Sequence, residues 1–463
     1  MIQKSVIEIL YLFSAFLFIS GLKIIGTTKH SRKGNWISAI GMLLAIIGSL
    51  MDERVNNLSW IFSAIIVGSV LGILSARKVR MNSIPLMVSF LNGMGGASAA
   101  TIGAFQYMNH PGFTYGAVVD NTSLAILLSI ISGTMSFSGS VITFGKIKGW
   151  VTEKSVFYPL QKTLNVSLLF IIGGISLFIL IREGVDSELV ILLSILSFLY
   201  GFLLILPVKG NNIPVAISIL NSMTGFSTLM IGFVFENLIL IMGGIIVWSA
   251  GILLAFHMSK ALNKPLSTVF FQTRETNKSL VKSERGLIAK EISLIDAAIL
   301  IGYAKRIIVV PGYGFGVSQA QFVCQELDHL LTARGIEVYY AIHPIAGRMP
   351  GHMNVLLAEA DIPYKRFLEL EEANQQFSIT DIALVIGAND IINPRAIKDK
   401  KSPLYGMPIL DVSEAKNIII LKKGADSGYS GEENPIFFHE KSSVILGDAK
   451  HNLNHIVKEI IEN

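Results

Sequence analysis

The sequence predicts two architectures in one chain: an all-α transmembrane bundle of about nine helices at residues 1–258, then an α/β doubly wound parallel-sheet domain at 286–463, with a polar linker at 259–285 between them. Three observations predict it. Only 15% of the 463 residues are charged and 51% are hydrophobic, with a mean hydropathy of +0.57, whereas soluble globular chains carry about 25% charged residues. The apolar residues before position 258 gather into runs that can cross about 30 Å of hydrocarbon, which takes roughly 20 residues. After position 286, short apolar strands alternate with helical stretches, as in a parallel sheet covered by helices.

The membrane half offers nine runs, at 5–25, 36–51, 58–74, 84–105, 122–145, 165–181, 189–207, 213–235 and 238–257. The first begins almost at Met1 and lacks a small-residue cleavage site, so a retained helix is expected rather than a signal peptide. The loops test the count independently. Alternate loops carry Lys23, Lys29, Arg32 and Lys33, then Arg77, Lys78 and Arg80, then Lys146, Lys148, Lys154 and Lys162, then Lys209. The intervening loops hold Asp52, Glu53 and Arg54, then Asp120, then Arg182, Glu183, Asp186 and Glu188, then Glu236. The positive-inside rule therefore places the N-terminus outside and residues 258–463 in the cytoplasm. A net charge of +5 distributed in this way carries topology and is no nucleic-acid footprint. The single cysteine, Cys324, excludes an internal disulfide framework and a multi-cysteine metal site.

An internal repeat is visible. Residues 84–96 read IPLMVSFLNGMGG and residues 213–225 read IPVAISILNSMTG, a constant offset of 129 with both copies crossing in the same direction. That pattern suits parallel repeats related by an axis along the membrane normal, or two helices with similar packing needs. Each copy puts an asparagine, Asn92 or Asn221, close to mid-membrane. Such an amide serves either as interhelical hydrogen-bonding glue or as a polar stop on an ion path. Between the copies, Ser129, Ser132, Ser136, Ser140 and Thr143 share one helical face, which is open to the same two readings. No Asp, Glu, Lys, Arg or His sits near the middle of any run. On its own, this half describes a transporter of an unspecified ion.

In the second half a helical run near 287–304 precedes a continuously apolar strand at 307–310, the composition of a buried parallel strand. PGYGFGVSQAQ follows and opens a helix running to about Ala333. Further strands are expected at Glu337–Ile342, 382–387, 417–421 and 443–446. Gly312 suits a tight turn after the first strand, Gly314 a close backbone approach to a pyrophosphate, and the helix N-terminus an anion. Val317 stands where the third glycine of that Rossmann-like fingerprint would be. The second strand ends in Ile342-His343-Pro344 and has no carboxylate for ribose hydroxyls. Lys422 and Lys423 follow a later strand beside Gly424, Gly428, Tyr429 and Gly431. Paired cations on a glycine-rich loop suit a phosphate monoester, and equally a solvated strand end.

At this point a resemblance becomes specific. PGYGFGVSQAQ, HPIAGRMPGHMNVLLAEADIPY, VIGANDIINPRA, SPLYGMPILDV, GYSGEENPIFF and LGDAKHNL resemble the NADP(H)-binding domain of proton-translocating transhydrogenases. The NGMGG and LNSMTG helices resemble that family's β-subunit membrane domain, so the resemblance covers essentially the whole chain. It implies that Gly312, Tyr313, Gly314 and Val317 line the pyrophosphate and nicotinamide region, and that His343, Ala346, Gly347, Arg348 and Met349 form a second wall. It also implies cofactor contacts along Gly387, Ala388, Asn389 and Asp390, with Asp390 and the 259–285 connector suited to coupling, 2′-phosphate binding by Lys422 and Lys423, and a lid carrying Tyr429. Gly447, Asp448, Ala449 and Lys450 would approach the adenine ribose, and Asn92, Ser136 and Asn221 would lie on the proton path.

The implied activity is direct hydride transfer between NAD(H) and NADP(H), driven by a proton entering from outside, with no catalytic side chain required. One glycine-loop fold is present, so NAD(H) would sit on an α-type partner subunit. A dimer of the α-β assembly in a bacterial inner membrane, surrounded by lipid and without nucleic acid, completes the picture. Two departures matter. Many members have Lys-Arg-Ser where this chain has Lys422-Lys423-Gly424, so a weaker but retained preference for NADP(H) is expected. Some members carry a mid-membrane histidine where this chain has Asn92, which leaves the proton to water or to partner helices. The residues alone also fit an ion transporter or channel whose Rossmann-like domain senses a nucleotide.

Overall fold

The structure is a computed structural model. It describes residues 2–25, 31–52, 55–79, 83–109, 121–152, 156, 158–181, 187–208, 212–261, 266–270, 290–347, 351–400, 402–423, 430 and 432–462. The chain divides into two compact units, largely the helices up to Ala255 and the remainder from Phe256.

Nine long helices make up the first unit among the described residues: α1 (Ile2–Ile25), α2 (Ser31–Leu50), α3 (Leu58–Lys78), α4 (Ile84–Asn109), α5 (Asn121–Lys148), α6 (Gln161–Ile181), α7 (Ser187–Ile205), α8 (Ile213–Val234) and α9 (Leu238–Ala261). Eight are long and apolar enough to cross a membrane. The exception is α4, whose 26 residues are rich in Gly, Ala and Ser. Lipid tails are as apolar as leucine, so helices here associate by close approach at small residues. A Cβ on Gly96 would lie 2.7 Å from the Gly133 carbonyl oxygen, and one on Gly133 would lie 2.6 Å from that of Gly96. These two glycines cross α4 and α5 at backbone contact. The repeat keeps its register in three dimensions. Both copies open their helices at the equivalent isoleucine, Ile84 and Ile213. In each copy the last glycine receives the next helix: Gly96 meets α5, and Gly225 meets α9 at Trp248 N, 2.5 Å from its would-be Cβ. By contrast α3 has no buried residue, and a Cβ on Gly68 would meet nothing within 4 Å.

The second unit opens with α10 (Leu266–Phe270) and α11 (Leu294–Tyr303) and builds a six-stranded sheet. Its strands are β1 (Arg306–Pro311), β2 (Glu337–Ile342), β3 (Phe367–Glu369), β4 (Ile382–Ile386), β5 (Asn417–Lys422) and β6 (Ser442–Leu446), all parallel in the order β3-β2-β1-β4-β5-β6. Every residue of β4 is buried, as a central parallel strand requires. The helices α12 (Tyr313–Val317), α13 (Gln321–Ala333), α14 (His352–Glu359), α15 (Leu370–Gln376), α16 (Arg395–Lys398) and α17 (Ala449–Glu462) complete the unit. Its core includes Ile308, Val310, Leu384, Ile420 and Leu453, each 0% exposed.

Two expectations change. The helix after the glycine turn is interrupted: α12 is a single turn, Gln319 takes a left-handed φ of 53°, and α13 starts at Gln321. The three-residue β3 has no apolar run in the sequence to announce it.

Gly133→Leu is expected to destabilise the detergent-solubilised chain by at least about 1–3 kcal/mol, because the added side chain must push α4 and α5 apart. Gly68→Leu on α3 should leave the unfolding temperature unchanged, and thermal melts of the two variants side by side check both.

Candidate functional site

The described loop residues among the expected sites of the second unit follow the carboxyl ends of the strands. The order reverses between β1 and β4, which pair in register from Ile307–Ile382 to Pro311–Ile386. In open parallel sheets ligands bind at the carboxyl ends of the strands at such a switch point. Gly312 follows β1, His343 follows β2, Gly387 follows β4, Lys422 ends β5 and Gly447 follows β6.

Two glycine turns meet at this edge. Gly312 N donates to Ile386 O and Gly314 N donates to Gly387 O, both at 2.9 Å. A Cβ on Gly314 would lie 2.8 Å from Gly387 Cα, and one on Gly387 would lie 2.6 Å from Phe315 N. Gly387 also has a φ of +63°, a conformation that only glycine adopts without strain. The close approach that these glycines permit is thus first of all that of the β1 and β4 loops to each other. Since two of the turn's amides serve that contact and α12 is only one turn long, the helix-terminus anion site expected from the sequence is smaller than a long helix would give. Tyr313 opens α12, and Val317 closes it, 59% exposed.

The loop after β4 carries a polar network. Asp390 accepts from Ser430 N at 2.9 Å and from Ser430 Oγ at 2.7 Å. Asn434 Nδ2 donates to Asn389 O at 2.9 Å, and Arg395 pairs with Glu432 at 2.8 Å. Asn389, Asp390 and Arg395 therefore hold Asn434, Ser430 and Glu432 in place. Ala388 is buried beside Gly312.

His343 is 1% exposed, with Nε2 2.8 Å from Pro408 O and Nδ1 accepting from Ile345 N at 3.3 Å. Both ring nitrogens are used internally, so the fold itself fixes the ring. Burial pulls its pKa down from 6.5 to about 4, against the Pro408 hydrogen bond. Ala346 is buried, and Gly347 has a φ of 105° with its would-be Cβ 2.8 Å from His352 Cβ. Arg348, Met349 and Tyr429 lie outside the described residues. The Lys422 ammonium stands 4.3 Å from the centroid of the Phe437 ring, while Lys423 is exposed. Gly447 has a φ of 134° and donates to Lys422 O at 2.9 Å. Asp448 Oδ1 accepts from His451 N at 3.1 Å and so caps α17; Ala449 is buried and Lys450 exposed. Cys324 is buried in the core against Tyr340, and burial pushes its thiol up to about 12.

In the helical unit, part of the polar face of α5 is self-satisfied. Ser129, Ser132 and Thr143 donate to Ile126 O, Leu128 O and Gly139 O of their own helix. Ser136 and Ser140 instead bond across helices. Ser136 Oγ donates to Leu220 O at 2.9 Å and lies 2.6 Å from Thr224 Oγ1. Asn92 Nδ2 donates to Ser140 Oγ at 3.4 Å, and Thr224 Oγ1 reaches Asn92 O at 3.3 Å. Asn92 and Ser136 thus share one seam. Asn221 is half-buried and makes no side-chain hydrogen bond to the described residues. Thr224 was missed in the sequence, although the repeat marks it: it is the position where the first copy has Gly95.

Residues 7–459 match the family model described as "NAD(P) transhydrogenase beta subunit". The chain is also 38% identical over 454 residues to the NAD(P) transhydrogenase subunit beta of Rhodospirillum rubrum, covering 97% of both chains, with the same figures for the chain of that name from a designated strain of the organism. The chain belongs to the NAD(P) transhydrogenase beta-subunit family. Membership gives it an oxidoreductase role as a transhydrogenase subunit and involves NADP(H) and NAD(H). The beta-subunit name implies an alpha-type partner. The long apolar helices and the family together make this a membrane protein.

The lowered His343 value sets a pH dependence. Between about pH 6.5 and 4 the unfolded chain takes a proton that the folded ring refuses, so stability falls as pH falls through that window. His343→Gln should flatten this slope, by on the order of 3 kcal/mol across the window; urea midpoints of variant and parent at several pH values read it directly.

Proposed function

We propose that this chain binds NADP(H) at the carboxyl edge of its sheet and exchanges hydride with NAD(H) held on the α-type partner, coupled to proton movement through its membrane helices. The observation that carries the reading is the convergence of two interlocked glycine turns and a strand-end lysine around the β1–β4 switch point. The interlocked glycines bring the main chain of both turns to the switch point where a dinucleotide binds in sheets of this kind, and Lys422 fits a ribose 2′-phosphate. When bound, NADP(H) supplies the hydride-exchanging nicotinamide. The residues of this chain bind it, orient it and exclude water, which is what direct transfer between two cofactors asks of a protein.

Gly312, Tyr313, Gly314 and Val317 would face the nicotinamide and pyrophosphate, with the His343–Met349 segment as a second wall. Lys422 and Lys423 would hold the 2′-phosphate under the segment bearing Tyr429, and residues 447–450 would meet the adenosine. In the membrane, Asn92 is 7% exposed and its Oδ1 is buried without a hydrogen-bond partner among the described residues. An orphaned acceptor at that depth is stabilised by a water. This supports a proton carried by water along the Asn92–Ser136 seam and past Asn221, in place of a titratable relay. The setting would be a bacterial inner membrane, with the N-terminus outside, the sheet domain cytoplasmic and two α-β assemblies paired.

Coupling would run through Asp390, whose carboxylate holds Ser430 by two hydrogen bonds. Proton occupancy and nucleotide state would then bias one shared equilibrium.

Membranes containing this chain and its partner, given NADPH and an NAD⁺ analogue with a distinct reduced absorbance, are expected to show reduction that needs both chains and responds to an uncoupler. NADPH binding without reduction would favour the nucleotide-sensing transporter. In the same assay Asp390→Asn should lower the coupled rate about ten-fold, since the amide can replace only one of the two acceptors; a variant as fast and as uncoupler-sensitive as the parent would remove Asp390 from the coupling.

A further inference from the structure

Lys422 is the last residue of β5, and its main chain is fixed there. Its strand pairs with β6 opposite Leu446, and its carbonyl receives Gly447 N at 2.9 Å. The side chain beyond is a flexible four-carbon stem, and an ammonium that samples many positions loses that freedom when it meets an anion. In this fold the stem is not left to wander: Nζ stands 4.3 Å from the centroid of the Phe437 ring. An aromatic face attracts a cation through its quadrupole. The ring carries no net charge of its own to set against that of a bound phosphate.

Phe437 is itself held from two sides. It lies on the short 3₁₀ turn Pro435–Phe438, and Asn434 caps that turn by accepting from Ile436 N at 3.0 Å. The Asn434 amide also donates to Asn389 O at 2.9 Å, which ties the turn to the loop after β4. Beside it, Ile436 is 2% exposed in the core, and the Phe437 ring packs on the same core. A chain of contacts therefore runs from Asn389 through Asn434 and Phe437 to the Lys422 ammonium.

We propose that Phe437 is a positioning residue for nucleotide specificity: its ring presets the Lys422 ammonium at the end of β5, and so raises the preference for a dinucleotide with a ribose 2′-phosphate over one with a free 2′-hydroxyl. This rests on the NADP(H) reading above and adds a residue to it. The arene need not touch the nucleotide. It narrows the positions open to the cation, so phosphate binds a group already in place.

The test uses the full chain in nanodiscs, titrated separately with NADPH and NADH and followed by nicotinamide fluorescence. The readout is the ratio of the two dissociation constants. Phe437→Leu is expected to shrink that ratio by roughly five-fold, through weaker NADPH binding at unchanged NADH binding. Phe437→Tyr, which restores an aromatic face, should return the ratio to the parental value. Phe437→Met keeps the bulk without the face and should match the leucine variant, which covers the case where leucine fails to fold. Lys422→Gln should shrink the ratio at least as far, with Phe437→Leu adding nothing on top of it. If Lys422→Gln shrinks the ratio while Phe437→Leu and Phe437→Met leave it unchanged, the role of Phe437 is overturned and the lysine site stands. Equal weakening of both nucleotides by the phenylalanine variants would also overturn it, by showing a packing role alone. No effect of Lys422→Gln would sink the underlying assignment of the 2′-phosphate to this lysine.

Discussion

Two backbone turns occupy the same few ångströms at the carboxyl edge of the sheet, and much of the second unit is arranged around their contact. Gly312 and Gly314 on one side meet Gly387 and Ala388 on the other, with main-chain hydrogen bonds at 2.9 Å between them. That contact extends the β1–β4 pairing past its last strand residues, at the place where the sheet order reverses. It also fixes where residues 388–395 leave the sheet. Those residues in turn hold Ser430, Glu432 and Asn434 by hydrogen bonds and an ion pair. Through Asn434 the arrangement reaches Phe437 and the Lys422 ammonium. One steric constraint, the absence of side chains at three positions, thus propagates across four strands.

The sequence carried the sheet almost whole, because β1, β4 and β5 are runs of β-branched or large apolar residues with buried interiors, and β2 and β6 hold shorter buried apolar stretches. The exception, β3, has only three residues, FLE, and forms by pairing beside β2; its existence depends on tertiary contact and leaves no period to detect. The interruption at Gln319 was hidden for a related reason. A left-handed glutamine is a local strain that the packing of Phe315, Ala320 and Val323 holds in place, and all three are buried. Residue types alone pointed to Gly312, Gly314 and Lys422, and the family resemblance added Asp390. They could not show that the glycine amides bond to the neighbouring loop, that His343 uses both nitrogens internally, or that Asp448 caps a helix.

The membrane half was legible in a different way. Apolar length gave the helices, and the recurring Ile-Pro, Asn and Gly letters gave the repeat. The row of hydroxyls on α5 was ambiguous in the sequence, and the structure divides it. Ser129, Ser132 and Thr143 return their protons to their own helix, whereas Ser136 joins Thr224 and Leu220 across the bundle. Helical periodicity puts residues on one face but says nothing of which neighbour each will find. Lys146 makes the same point: a basic residue at a helix end reads as a loop charge, yet it is 0% exposed and donates to the carbonyls of Leu206 and Val208 just beyond α7.

The two copies of the repeat differ at one place with a history attached. Gly95 and Thr224 are equivalent positions, and a Cβ on Gly95 would lie 3.1 Å from Thr224 Cγ2. The twin sites therefore face each other, and a matching pair of larger residues would collide. If the helices arose by copying, the ancestral pair had to diverge before a hydroxyl could occupy this crossing, with one twin staying small while the other gained the polar group. A side chain at 95 would require Thr224 to give way by a few tenths of an ångström, so the cost of a change at either twin depends on the residue at the other.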